Sequence, residues 1–208
     1  MPTRALLVCA WALAFASPET AFADSLELTG TAPERVNLSF SVGIEVGLVI
    51  PVATKPLCPS GAECLFGAGA AIGIPLSYRW NQGTELGFDY EFWILNSDGV
   101  YEAAVAQAFT ALLRQSFLVD RSVRPVLRAR GGLLLLGPTF GVDTLGGTLE
   151  LAFGGEAEMN RNMLFSFTLG GQLLWTQPFT TSSDGVARSQ DGGVNAALVL
   201  RIGIHYLL

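Results

Sequence analysis

Charge is scarce in this sequence, histidine and cysteine are scarcer still, and long apolar runs are missing beyond residue 23. Charged residues make up 14% of the 208 residues and leave a net charge of −6. An acidic chain without basic patches is a poor binder of nucleic acid. One histidine and three cysteines leave too few ligands for a metal cluster. No phosphate-cradling loop is present either. The glycines of Gly67-Ala-Gly69-Ala-Ala-Ile-Gly73 miss the dinucleotide spacing by one residue, and no helical pattern follows them. A lone His205 has no evident catalytic partners, and Asp184 and Asp191 are too few for a cation site. No later stretch approaches 18 apolar residues, so no spanning helix is expected. Yet half of the residues are hydrophobic. Their apolar character must therefore be spread at short period.

Residues 1–23 read as a secretory signal peptide. Arg4 supplies the positive end, Ala5 to Ala16 the apolar segment, and Ala21-Phe22-Ala23 the small-residue cleavage pattern before Asp24. The apolar segment is short for an uncleaved anchor, and Leu7-Val8 before Cys9 do not fit a lipoprotein site. With the leader removed, Cys58 and Cys64 remain as an even pair in an exported chain, which reads as a disulfide stapling a loop tip. Residues 24–35 show no sustained period and form a short lead-in.

From residue 36 onward the dominant signal is alternation. Successive side chains of a strand point to opposite faces. Residues 36–50 place Val36, Leu38, Phe40, Val42, Ile44, Val46, Leu48 and Ile50 on one face, with Asn37, Ser39, Ser41, Gly43, Glu45 and Gly47 on the other. That run is far longer than an ordinary soluble strand. Similar strands are expected at 66–80, 84–95, 124–136, 145–159, 163–176 and 195–208. Residues 102–119 would suit a helix or a strand, and strand is preferred because its neighbours need a partner there. Short turns near 82, 121 and 161 alternate with longer connections at 51–63, 96–101, 137–144 and 178–193. The expected fold is an all-β, eight-stranded antiparallel up-and-down transmembrane barrel over residues 36–208, both ends on the short-turn, periplasmic side.

The polar face carries Glu45, Arg79, Glu85, Asp89, Glu91, Arg114, Arg128, Arg130, Glu150, Glu156, Glu158 and Arg201. An eight-stranded barrel is just wide enough to be filled by side chains. These charges should therefore pair into a network that plugs the lumen. The opposite face presents aromatics near the strand ends, as membrane-interface girdles require. Tyr78, Trp80, Phe117, Phe165 and Tyr206 fall at the short-turn end, and Phe66, Phe92 and Trp175 at the long-loop end.

The chain ends in Arg201-x-Gly203-x-x-Tyr206-x-Leu208. This resembles the C-terminal insertion signature of bacterial outer-membrane barrels, with Leu208 where members commonly end in phenylalanine. With the leader and eight strands, residues 36–208 resemble the small OmpA/OmpW-type outer-membrane β-barrel superfamily. The resemblance implies outer-membrane lipids and the barrel assembly machinery as partners, and no cofactor. It also leaves several roles open. The leading expectation is a non-enzymatic structural or surface-interaction barrel. The alternatives are passage or binding of a small or apolar solute, and a soluble exported lipocalin-like barrel. A lipid-modifying enzyme comes last, because only one histidine is available.

Overall fold

The computed structural model describes residues 38–139, 141–190 and 192–208. The expected leader, the lead-in and Asp191 lie outside the described residues. Ten strands are present among the described residues: β1 (Leu38–Ala53), β2 (Gly69–Trp80), β3 (Thr84–Leu95), β4 (Ala104–Ser116), β5 (Val123–Pro138), β6 (Thr144–Asn160), β7 (Met163–Thr176), β8 (Phe179–Thr180), β9 (Ala187–Arg188) and β10 (Val194–Leu207). Eight of them close a barrel in the order β1-β10-β7-β6-β5-β4-β3-β2. All of its neighbours are antiparallel. The two-residue strands β8 and β9 form a separate hairpin inside the long last connection, where alternation is too brief to show in sequence.

Closure comes from β1 and β10, paired from Ser41↔Leu207 to Ala53↔Ala196. The last residues are fastened as well. The Leu208 N–H donates to Phe40 O (2.8 Å), and the Leu207 N–H to Asn162 O (2.7 Å). No edge of the barrel is left to recruit another chain. At the opposite wall of β1 the ladder to β2 skips Gly43 and Ile44, beside Pro75, which has no N–H to give.

Short turns close one end. Gly83 sits at φ +79° in the β2–β3 turn, and a Cβ there would lie 2.5 Å from Ser116 O, so only glycine fits. At the other end β1 runs on through Pro51, where its pairing to β10 becomes irregular. β2 begins at Gly69, later than the alternation from residue 66 implied, because Leu65 and Phe66 turn inward beneath the loops. The ambiguous segment 102–119 is strand from Ala104 to Ser116. Its period was blurred because Gln107 and Gln115 point outward; Tyr90 and Thr84 donate to their amide oxygens (3.2 and 2.7 Å).

The wall has its apolar side out. Ile44, Leu48, Ile72, Phe109, Leu133, Leu151 and Phe153 are all exposed, and Phe88 is 74% exposed. A soluble monomer rarely presents so large a continuous apolar surface. The faces are the reverse of a soluble ligand-binding barrel, which would line its interior with these residues. Tyr78 and Trp80 meet edge to face (5.2 Å) at the short-turn end. Phe117, Phe165 and Tyr206 are exposed there too, and Trp175 at the long-loop end. Trp175 lies over Gly147, where even a Cβ would strike its ring. Phe92 is half-buried on the outer face. Phe66 departs from the girdle expected of it: it is 1% exposed and packs into the interior with the loops. The reason is that the strand starts three residues after it, so strand parity does not govern its direction.

Candidate functional site

Strand parity sends a second set of side chains into the lumen, where the structure sorts the charges into two clusters. The lower one, near the short turns, centres on Glu156 of β6. Arg79 reaches it from β2, directly across the barrel, with two hydrogen bonds. Arg114 of β4 adds a contact at 2.9 Å and Arg124 of β5 another at 3.4 Å. Arg124 also pairs with the half-buried Glu158. Glu85 accepts from Ser77 and lies 3.9 and 3.8 Å from Arg79 and Arg114.

The second cluster fills mid-barrel. Arg128 of β5 grips both oxygens of Glu45 on β1 at 2.8 and 2.7 Å, again spanning the full width. Its other nitrogen donates to Glu150 Oε1 (3.1 Å) and Thr168 Oγ1 (2.9 Å). Arg130 bridges Glu150 (2.5 Å), Glu91 (3.0 Å) and Asp89. Arg201 of β10 joins Glu91 and Glu150, each at 2.6 Å. Forked guanidinium contacts of this kind are the strong, geometrically demanding form of ion pair.

His205 sits between the clusters. Its Nε2 is 2.9 Å from Ser166 Oγ, 3.5 Å from Arg114 Nη1 and 3.5 Å from Glu45 Oε1. Serine, histidine and glutamate together invite comparison with a hydrolytic triad. In a triad the acid and the nucleophile occupy different ring nitrogens. Here both meet Nε2, and His205 is buried in the lumen. The arrangement is therefore not that of a triad. Among the described residues no group of three or more acids, histidines or cysteines is placed to hold a metal ion.

Above the charges the lumen turns apolar. Trp93 of β3 is 0% exposed and donates its indole N–H to Glu91 Oε2 (3.2 Å), so its ring roofs the mid-barrel cluster. Val49, Leu134, Leu136 and Leu174 surround it, and Leu57, Leu65, Phe66, Tyr101 and Phe179 descend from the loops onto the same cluster. The long loops thus cap the barrel. Cys58 and Cys64 form a disulfide in the first of them. In the others, Tyr101 donates its hydroxyl to Asp143, which also accepts from the N–H and hydroxyl of Ser182 (both 3.2 Å). Burial first, and then that carboxylate, push the Tyr101 phenol above its usual range. The Asp184 carboxyl overcomes a burial cost through hydrogen bonds from Thr181, the Val186 N–H and Arg188, and is held below its usual range.

The structure thus places all twelve charges read from the sequence on the inner side of the wall, and Arg124 beside them. Arg124 has the parity of Arg128 and Arg130 and was legible, but it stood at a strand boundary. Trp93 was equally legible by its parity with Glu91. The loop contacts carry no periodic signal. Of the C-terminal signature, Arg201 and Gly203 face inward while Tyr206 and Leu208 are exposed.

No family model matches this chain, and neither does any curated protein. Solved structures do. Neisserial surface protein A (NspA) superposes with a TM-score of 0.56 at 15% identity, over 82% of this chain and 99% of that one. The outer membrane protein OprG of Pseudomonas aeruginosa gives 0.51 at 13% identity, over 84% and 97%. The fold is that of the small outer-membrane barrels. The outer membrane enzyme PagL aligns more loosely, with a TM-score of 0.43 at 12% identity over 76% and 97%. At such identities only the architecture is shared.

Proposed function

We propose that this chain is a non-enzymatic barrel of the bacterial outer membrane, with a structural or surface-interaction role carried by its long loops. The observation that carries this reading is the filled lumen. Arg79–Glu156 and Arg128–Glu45 each span the barrel from wall to opposite wall, and an apolar cap lies above them. Passage of a solute down the axis would require breaking several buried ion pairs at once. The apolar outer wall suits lipid, since a bilayer admits β-structure only as a closed barrel. The leader expected over residues 1–23 and the C-terminal signature favour delivery through the barrel assembly machinery, with the short turns facing the periplasm. What remains for contact with other molecules is the loop end.

Cysteine labelling in intact cells tests this placement. A single cysteine replacing Asp98 should react with a membrane-impermeant maleimide, while one replacing Gln82 should react only after permeabilisation. Labelling of both, or recovery of the protein from the periplasm without detergent, would overturn the reading.

A further inference from the structure

The first and last long loops of the cap meet at a buried cation whose seat the disulfide shapes. Arg188, in the short β8–β9 hairpin, is 1% exposed. Its Nη1 donates to two backbone carbonyls, Leu57 O at 2.7 Å and Glu63 O at 2.9 Å. Those residues immediately precede Cys58 and Cys64, so the disulfide sets the spacing of both acceptors. Nη2 pairs with Asp184 at 2.6 Å, and Nε reaches Thr181 Oγ1 at 3.3 Å. The next residue continues the seam, for the Ser189 N–H donates to Pro56 O (2.9 Å) and its hydroxyl meets Thr176 Oγ1 (2.6 Å). Leu57, Leu65 and Phe66 of the first loop and Phe179 of the last share the cluster around Trp93. Two loops that are far apart in sequence are therefore joined by one guanidinium over the mouth.

We propose that Arg188 and the Cys58–Cys64 disulfide form a redox-set latch on the loop end of the barrel. A buried guanidinium needs acceptors in fixed positions, or its desolvation is uncompensated. While the disulfide is intact, the Leu57 and Glu63 carbonyls converge and the latch is shut. A dithiol reductant opens it by exchange: its thiolate attacks one cystine sulfur and releases the other, and its second thiolate then attacks the mixed disulfide and releases the remaining protein sulfur. The protein then carries two thiols, having gained two electrons and two protons, and the reductant leaves as a cyclic disulfide. The covalent tether is gone, and the long Leu65 N–H to Leu57 O bond (3.5 Å) does not replace it; Arg188 loses its seat, and the apolar storey around Trp93 opens to water. The charge clusters below contain no residue of either loop, so the base of the lumen stays filled.

Acrylamide quenching of Trp93 fluorescence tests the latch in detergent-solubilised protein carrying Trp11→Phe, Trp80→Phe and Trp175→Phe. Dithiothreitol should raise the quenching constant by roughly threefold or more while the β-sheet circular dichroism is retained, the mark of local opening. Arg188→Leu should show the same rise without reductant. A quenching constant unchanged after both thiols have been shown to alkylate would overturn the proposal. Loss of the sheet signal on reduction would overturn it too, because the disulfide would then hold the barrel rather than the mouth. Should Arg188→Leu fail to fold, the reduction of the folded parent protein decides alone.

Discussion

Arg128 ties opposite walls of the lumen together by its pair with Glu45. Glu45 depends on it: besides Arg128 it meets the His205 ring at 3.5 Å, whereas Glu150 keeps Arg130 and Arg201 at 2.5 and 2.6 Å. Removing one member of a buried pair strands the other and typically costs about 3–5 kcal/mol. Arg128→Ala should therefore lower the free energy of urea unfolding in detergent by about 3–5 kcal/mol, seen as a lower midpoint. The double substitution Arg128→Met with Glu45→Gln should recover part of the loss, since neither charge is then left alone. An unchanged midpoint for Arg128→Ala would show that the pair is not buried in the folded barrel. Lysine would be a poor replacement, because a single ammonium cannot hold Glu45 from one nitrogen while a second nitrogen reaches Glu150 and Thr168.

Each strand of the wall has a lipid-type face and a lumen face, and the contrast between them determines what can be read from sequence. In β3 the contrast is complete, with Phe88 and Tyr90 opposing Asp89 and Glu91, and the alternation marks its span from Thr84 to Leu95 without error. β7 is read equally well from Met163 to Thr176. In β4 the inner positions are Ala104, Ala106 and Ala108 while Gln107 lies outside, so polarity and parity disagree and only the neighbouring strands resolve it. Phe66 lies where no strand fixes direction, and Arg188 in a two-residue strand too short to show alternation. Their roles come from contacts between loops distant in sequence, which no local period records. The lipid-type face can be tested on its own. Phe88 projects from the middle of β3 and Trp80 from the turn end of β2. Arginine at a bilayer midplane costs about 2–4 kcal/mol and near the interface about 0–1. In lipid vesicles, Phe88→Arg should destabilise the barrel by the larger amount and Trp80→Arg by the smaller. Equal effects would mean that the apolar band is not centred on the membrane.

The whole molecule is an inverted soluble domain: apolar residues surround it, charges fill its centre, and disulfide-stapled loops shut one end. Lower and middle clusters each span the lumen, so the seal does not depend on the cap alone. Opening the loop latch would expose Trp93 but would leave Arg79–Glu156 and Arg128–Glu45 in place below it. A closed barrel with a filled axis is suited to holding loops at a surface and unsuited to conducting. Planar-bilayer recording of the folded protein, with insertion verified independently by protease protection, tests that most directly. The filled lumen predicts a silent trace with no discrete conductance steps, whereas reproducible stepwise openings would show a continuous water path and contradict it.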